Sequence, residues 1–278
     1  MSNLIIGGTG TLGTEVAKQL LARKERVTIF SRDELKQKIT KAALHNDPRV
    51  TFVLGDVRDY QRVRGEVKYH DNIYLFAALK HVDWCEYFPQ EAVKTNVLGT
   101  MNVVNAIKEC GRTKRLTFSS TDKAVMPINA YGHSKALAEG IVGEAGVNGD
   151  CVVRIARYGN VLGSRGSVVD MFAKSLRLHE SIKVTDVEMT RFWIKIEDAA
   201  RFVIDSEPGL NIPDIKASKV TDLARAIAAM LQIEDYGLDI VGLRPGEKLH
   251  ESLSDGLDSL TCPQYTHEEL KSLLTGLV

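Results

Sequence analysis

Tyr131 and Lys135 stand one helical turn apart in the run Tyr131-Gly132-His133-Ser134-Lys135. On a helix that spacing places phenol and ammonium on one face. A neighbouring cation lowers a phenol whose reference pKa is about 10, so the pair can take a proton from a substrate hydroxyl near neutral pH. Just upstream lies a second cluster, Thr121-Asp122-Lys123. Its hydroxyl, acid and base are consecutive and can all reach one sugar ring. Neither signal is strong alone, since Tyr-x-x-x-Lys recurs by chance and a Thr-Asp turn with a solvated Lys is an ordinary loop. Position adds weight: both follow an apolar run that ends in Ser119-Ser120, at the carboxyl edge where open α/β sheets bind ligands.

A third motif sits at the amino terminus, Gly7-Gly8-Thr9-Gly10-Thr11-Leu12-Gly13. Between a strand and a helix, Gly7, Gly10 and Gly13 supply a tight turn, a close backbone approach to a pyrophosphate, and a helix-to-strand contact, and the helix N-terminus favours the anion. Thr9, Thr11 and Leu12 complete that turn. Where an NAD-binding chain carries a ribose-binding carboxylate at the end of its second strand, this one has Ser31-Arg32. A guanidinium there can fork onto a 2′-phosphate, which favours NADP, and Lys36 can add charge. A solvated loop arginine is the alternative. Asp56-Val57, at the end of the third strand, is placed to receive an adenine amino group.

The elements that must carry these groups follow from the apolar pattern. Short β-branched runs at Leu4-Ile6, Arg26-Phe30, Val50-Leu54, Asn72-Phe76, Arg115-Phe118 and Cys151-Ile155 alternate with amphipathic segments, which predicts βαβ units in a doubly wound parallel sheet. Leu12, Val16, Ala17, Leu20 and Leu21 predict a helix packed on that sheet. Pro89 opens another, running to about Cys110 with Val93, Val97, Met101, Val104 and Ile107 on one side and Gly111 as its stop. Asn96 falls mid-helix, either as a helix-facing polar group or as support for the site. After Arg157 the rhythm changes to glycine-rich loop and short elements, giving an expected division into a core over 1–156 and a smaller lobe over 157–278, with a soft boundary. The final residues after Pro263 read as a surface tail.

The 278 residues suit one such two-lobed unit. Thirty-six basic residues balance 36 acidic ones, for a net charge of +0, so no long-range field draws in nucleic acid or an anionic membrane. The uncharged run Met1–Thr14 falls short of the roughly 18 apolar residues a spanning helix needs. No basic leader or cleavage pattern precedes the first strand, which predicts a cytoplasmic enzyme. The four cysteines, Cys85, Cys110, Cys151 and Cys262, lie far apart with no C-x-x-C pair, as expected of reduced thiols rather than metal ligands.

Several longer blocks carry a resemblance: Ser31-Arg32-Asp33-Glu34-Leu35-Lys36, Ala77-Ala78-Leu79-Lys80-His81-Val82, Ser120-Thr121-Asp122-Lys123-Ala124-Val125, Arg157-Tyr158-Gly159-Asn160-Val161, Gly163-Ser164-Arg165-Gly166-Ser167-Val168, Met189-Thr190-Arg191-Phe192-Trp193 and Arg244-Pro245-Gly246-Glu247-Lys248. Together, over roughly residues 4 to 253, they resemble the UDP-N-acetylglucosamine 4,6-dehydratases, extended short-chain dehydrogenases acting on nucleotide sugars. The resemblance implies a Rossmann-type core, a tightly held NADP that is reduced and reoxidised in one turnover, and a homo-oligomer. It adds Ala77, Ala78, Lys80, Ser119 and Ser120 to the cofactor contacts, with Tyr131 and Lys135 touching the cofactor as well.

By the same resemblance Tyr131 takes the O4 proton as hydride leaves C4, Lys135 holds the phenolate and Thr121 bonds O4. Lys123 then removes the C5 proton and Asp122 protonates the departing 6-hydroxyl. That role requires the Lys123 pKa to fall well below its reference of about 10.4, which neighbouring cations and a closed site would bring about. Asp-Lys together with the Tyr resembles the members that invert C5. Lys80, Asn160, Arg191 and Arg244 are the implied substrate contacts, the two arginines as diphosphate clamps, with Glu247 orienting Arg244. A UDP-sugar 4-epimerase would use Tyr131 and Lys135 without needing Asp122 and Lys123, and a silent NADP-binding scaffold would need none of the four. Two features depart from the family: His133 and Met126 replace an expected small and an expected polar residue, and Gly140, Gly143, Gly146 and Gly149 should weaken the helix after Lys135.

Overall fold

The computed structural model describes residues 2–164 and 166–278. Its first half runs β1 (Ser2–Ile6), α1 (Thr11–Ala22), β2 (Arg26–Ser31), α2 (Glu34–Ala43), β3 (Val50–Leu54), α3 (Tyr60–Val67), β4 (Asn72–Leu75), α4 (Val82–Tyr87), α5 (Pro89–Ala92), a π-helical segment (Val93–Leu98) and α6 (Gly99–Cys110). There follow β5 (Arg115–Ser119), a 3₁₀ turn (Asp122–Ala124), α7 (Ala130–Val147) and β6 (Val152–Ala156). The second half contains β7 (Asn160–Leu162), α8 (Val168–Arg177), β8 (Ile182–Val184), β9 (Thr190–Lys195), α9 (Ile196–Asp205), β10 (Gly209–Asn211), β11 (Ala217–Lys219), α10 (Val220–Met230), β12 (Leu238–Ile240), β13 (Ser252–Ser254), β14 (Leu257–Asp258) and α11 (His267–Leu274).

Seven parallel strands form the main sheet in the order β10-β6-β5-β4-β1-β2-β3. Strand order reverses between β1 and β4, and such a switch point leaves a crevice at the carboxyl edge. Both faces are buried, as a parallel sheet requires. Leu4 and Ile6 of β1 pack with Val63, Val103, Ile107 and Val142 on one side, and Ile5 packs with Val16, Leu20, Ala199 and Val203 on the other. Every strand expected in this half is present with its ends within two residues.

Two expectations about the frame are corrected and two are given detail. Segments beyond residue 156 return to the core: β10 adds to the main sheet beside β6, and α9 supplies Ala199 and Val203 to the core that α1 covers. The helix from Pro89 to Cys110 is continuous, but its π turn inserts an extra residue and rotates the buried stripe. Val93 and Met101 are therefore exposed, while Thr95, Asn96, Val97, Thr100 and Val103 point inward. α7 runs through Gly140, Gly143 and Gly146, and a Cβ on Gly146 would lie 3.0 Å from the Val153 side chain, so that glycine lets helix and sheet approach. The supposed surface tail is α11, capped by the reciprocal Thr266–Glu269 bonds. Its Leu270 and Leu274 are fully buried with Leu223, Ile227 and Phe172 in the core of the second lobe. No described helix is long and apolar enough to cross a membrane.

Candidate active site

A cleft of about 790 Å³ opens along the carboxyl edge of the main sheet. Its floor is the turn from β1 into α1. Gly7 adopts φ +90, and a Cβ there would lie 2.6 Å from the backbone nitrogen of Ala77. A Cβ on Gly13 would lie 2.6 Å from Gly8 Cα, so the first turn of α1 can press against the loop only without a side chain. Gly10, the N-cap of α1, has no side chain to cap the first-turn amides, and that turn carries no acidic residue. An anion is favoured there.

The same cleft brings together Thr9, Thr11 and Leu12 of the turn, Ser31, Arg32 and Lys36 at the end of β2, Asp56 and Val57 after β3, and Ala77, Ala78 and Lys80 after β4. Arg32 is exposed, with one guanidinium nitrogen 3.7 Å from Asp56. Asp56 is held more firmly by Arg58, which donates to both its oxygens at 2.7 and 3.0 Å and also reaches Glu91 at 2.9 Å. Partial burial raises the Asp56 carboxyl, but these bonds outweigh it and hold the group below its ordinary range. Ser31 is buried, its hydroxyl and carbonyl both accepting from Gln37.

At the other end of the cleft, Ser119, Ser120, Thr121, Asp122, Lys123, Tyr131, Lys135 and Asn160 line one wall. Thr121 caps the 3₁₀ turn and donates its hydroxyl proton to Asp122 Oδ1 at 2.9 Å. Its side chain also meets the Tyr131 hydroxyl. Lys135 Nζ donates to the Ser119 carbonyl at 2.7 Å and lies 3.9 Å from the Phe118 ring centre. Asn96, in the π turn, ties the wall together. Its carboxamide bonds the Leu79 backbone in both directions at 2.8 and 3.1 Å and donates to Ser134 Oγ at 2.9 Å. Asn96 is thus support for the site.

Buried polar atoms without a hydrogen-bond partner among the described residues concentrate here: Thr95 Oγ1, Ser120 Oγ, Asp122 Oδ2 and Asn160 Oδ1 all belong to residues lining the cleft. Orphaned groups of this kind cost about 1–3 kcal/mol each until something bonds them. They fit a polar ligand lying along the wall.

The family described as "Polysaccharide biosynthesis protein" matches residues 3–270. The chain belongs to this family. It is 40% identical over 267 residues to the UDP-N-acetylglucosamine 4,6-dehydratase (inverting) of Campylobacter jejuni, covering 92% of this chain and 78% of that protein. To the UDP-glucose 4-epimerase of Rickettsia bellii it is 36% identical, over 90% and 76% of the two chains. Among solved structures, Pen from Bacillus thuringiensis superposes with a TM-score of 0.91 at 30% identity, over 99% and 98% of the two chains. DesIV of Streptomyces venezuelae, a dTDP-glucose 4,6-dehydratase, superposes with a TM-score of 0.83 at 22% identity, over 99% and 96%, and shares the fold. The resemblance drawn from the sequence is borne out: this is an extended short-chain dehydrogenase/reductase of the group that contains the UDP-N-acetylglucosamine 4,6-dehydratases.

Within this family's site the electrostatics differ from the sequence expectation in two places. Burial pushes the Tyr131 phenol up, outweighing its contact with Thr121, and the carboxylates of Asp122 and Glu251 push the same way. Lys135 is stripped of solvent and pushed down to about 7, with only a weak opposing pull from Glu139. Lys123 departs in the opposite sense. Burial drives its amine down, yet Asp122 and Glu251 together outweigh burial and the push from Arg191, and hold the ammonium above its ordinary range.

Two of the implied substrate contacts stand away from the cleft. Arg191 is buried, and its guanidinium donates to the carbonyls of Thr190, Leu249 and Lys248 at 2.7, 3.0 and 2.9 Å. It clasps the 248–249 backbone. Arg244 is exposed on its loop, and Glu247 accepts from the Arg244 backbone amide at 3.3 Å, not from its guanidinium. Arg165, in the glycine-rich block, lies outside the described residues. Sequence reasoning missed Glu251, a buried carboxylate 3.2 Å from Lys123. The one local clue was the run Glu247-Lys248-Leu249-His250-Glu251, which sets a second carboxylate four residues after Glu247 in the block that begins at Arg244.

Proposed function

We propose that the chain is an NADP-dependent UDP-N-acetylglucosamine 4,6-dehydratase that inverts C5, yielding a UDP-4-keto-6-deoxy amino sugar for glycan assembly. The observation that carries this reading is the Thr121-Asp122-Lys123 turn, with Thr121 and Asp122 buried, set against Tyr131 in the same wall. A dehydratase needs an acid and a base beyond the oxidising Tyr, and both are present. The glycine turn of α1 and the orphaned wall atoms fit a dinucleotide followed by a nucleotide sugar, and Arg32 with Lys36 favours a 2′-phosphate.

When bound, the nicotinamide supplies one chemistry, accepting a hydride from C4 and returning it to C6. The chain's own residues do the rest. Tyr131 receives the O4 proton, Thr121 holds that oxygen, and Lys135 supplies charge beside the phenol. Lys123 first passes a proton to Asp122, 3.1 Å away; the freed amine then takes the C5 proton that the 4-ketone acidifies, and Asp122 delivers its proton to the departing 6-hydroxyl as water. Asn160 and Lys80 contact the sugar and diphosphate, Arg244 closes over the diphosphate from its exposed loop, and Arg191 acts behind the site. Exposed Leu98, Met101 and Leu137 on the π segment, α6 and α7 support a homo-oligomer, and a cytoplasmic setting belongs to the same reading.

Incubation with NADP and UDP-N-acetylglucosamine is expected to give a product lighter by one water in the mass spectrum. In deuterated water that product should carry deuterium at C5 of an L-configured ring by NMR. Deuterium on a retained D-ring removes the inversion. An unchanged mass with UDP-N-acetylgalactosamine appearing makes the chain a 4-epimerase, a reading that the Rickettsia bellii relative keeps in play. No turnover favours a binding scaffold.

A further inference from the structure

Glu251 is a charged side chain at the catalytic wall for which the reaction above has no use. It is 2% exposed and arrives from the second lobe, at the start of β13. Its Oε1 lies 3.2 Å from Lys123 Nζ, while Asp122 Oδ1 stands 3.1 Å from the same nitrogen. The amine therefore bridges two carboxylates, one from each lobe. Glu251 Oε2 has no hydrogen-bond partner among the described residues and lies 3.7 Å from Lys248 Nζ, which donates to the Val125 carbonyl at 2.6 Å.

The backbone around Glu251 is fixed to a degree that a casual ion pair does not need. Its amide donates to Ser259 Oγ at 2.9 Å, and its carbonyl accepts from the Ser259 amide at 2.8 Å. Ser259 is itself fully buried and bonded to Thr190 Oγ1 at 2.7 Å, and the next residue, Arg191, grips carbonyls 248 and 249. Thr190 also engages His250 Nδ1 at 2.8 Å, turning that imidazole away from Lys123. The charged and titratable groups facing the amine are thus Asp122 on its own turn, Glu251 and Lys248 on the loop, Arg191 on β9 and the Tyr131 phenol on α7.

We propose that Glu251 is a positioning residue acting through Lys123: its carboxylate holds the ammonium in place and sets the pH at which that amine gives up its proton and becomes a base. The proposal rests on the reading of Lys123 as the C5 base. Two carboxylates favour the charged amine, so removing one lets burial and Arg191 draw the proton off at lower pH. Removing Lys248 acts oppositely, because it takes away the other cation near the Glu251 carboxylate and leaves that carboxylate to Lys123 alone.

The test reads Lys123 directly. Acetylation of Lys123 by limiting acetic anhydride, followed by mass spectrometry across pH in the ligand-free protein, gives its titration midpoint, with exposed lysines as internal references. Glu251→Gln is expected to move that midpoint down by about one pH unit, which is about a tenfold faster acetylation below the wild-type midpoint. Lys248→Gln should move it up, and Glu251→Asp should restore part of the wild-type value. The rising limb of C5 hydrogen exchange in deuterated water should shift in step. An unmoved midpoint in a folded Glu251→Gln protein overturns the proposal and leaves Glu251 a tie between lobes. Should that variant not fold, Lys248→Gln decides, and the absence of an upward shift overturns it. Shifted acetylation with no C5 exchange keeps the coupling and removes the dehydratase reading, whereas exchange without a shift does the reverse.

Discussion

Two lysines occupy one cleft and are treated in opposite ways. Lys135 is held by the sheet half of the site, between the Ser119 carbonyl and the Phe118 ring, and burial takes its amine down to about 7. Lys123 is less deeply buried, its side chain 18% exposed, and Asp122 together with Glu251 from the second lobe keeps it charged. Burial acts on both amines, so the two carboxylates in direct contact with Lys123 make the difference. The sheet half is arranged so that its cation is only partly charged near neutrality, a state that an anionic phenolate would shift. The interlobe half stores a full charge that must be released before elimination.

The largest effect that separates the two halves is expected from Lys123→Ala. Loss of water from UDP-N-acetylglucosamine should fall by about 10²–10⁴-fold, the usual worth of a general base. Reduction of bound cofactor by the same substrate, read from near-ultraviolet absorbance in a single turnover, should persist. If both vanish together, the two halves are one unit and the division fails.

Arg191 tests the assembly of the second half. Its three bonds to backbone carbonyls make it a clasp; Arg191→Met leaves the Lys248 carbonyl without that donor, while those of Leu249 and Thr190 keep bonds from the Thr190 amide and the Ser259 hydroxyl. A loss of about 1–3 kcal/mol in urea unfolding is expected, with a smaller change in affinity for a UDP-sugar measured by calorimetry. A protein of unchanged stability that has lost its UDP-sugar affinity would return Arg191 to the diphosphate.

The sheet half was legible because its determinants are local. Gly7 to Gly13 carry turn and helix start within one stretch, and Tyr131 with Lys135 needs only a helix; every group named there lines the cleft. The interlobe half was not, because Glu251 and Lys123 are far apart in sequence and meet only through Ser259, Thr190 and Arg191. The same limit explains Arg191 and Arg244, whose motif placed them near the site but could not say which way a guanidinium points. The shifted face of the helix after Pro89 had another cause. A π turn changes the period that an apolar pattern assumes, and nothing in Val93–Leu98 announces it.

Lys135→Met sharpens the contrast from the other side. The folded state depresses this amine to about 7 from an ordinary 10.5, so below pH 7 the chain carries the whole cost of a charged buried lysine. Between about 7 and 10.5 the unfolded chain binds the extra proton, and wild-type stability relative to a neutral side chain changes with pH in that window, rising as pH rises. Methionine has no proton to lose. The variant should be inactive yet more stable by on the order of 1–3 kcal/mol at pH 6.5, with the advantage shrinking by pH 9.5, by chemical denaturation. An advantage that does not depend on pH would mean the gain is packing, not charge.

The smallest effect is expected farthest from both lysines, at Arg32. Its guanidinium is more than half exposed and 3.7 Å from Asp56, which Arg58 already neutralises through two shorter bonds. Arg32 is therefore spared as a partner for Asp56 and can turn to a 2′-phosphate, in a setting wet enough to screen the charge. Arg32→Ala should weaken NADP binding by about tenfold and leave NAD nearly unchanged, about 1.4 kcal/mol of discrimination at low salt that narrows as salt is added. Isothermal titration of both cofactors at two ionic strengths measures it. Equal affinities for NADP and NAD in the unmodified protein defeat the NADP assignment. A loss in Arg32→Ala that is the same for both cofactors instead marks the guanidinium as an adenine-stacking surface, and Lys36→Ala would then be the variant that carries the phosphate preference.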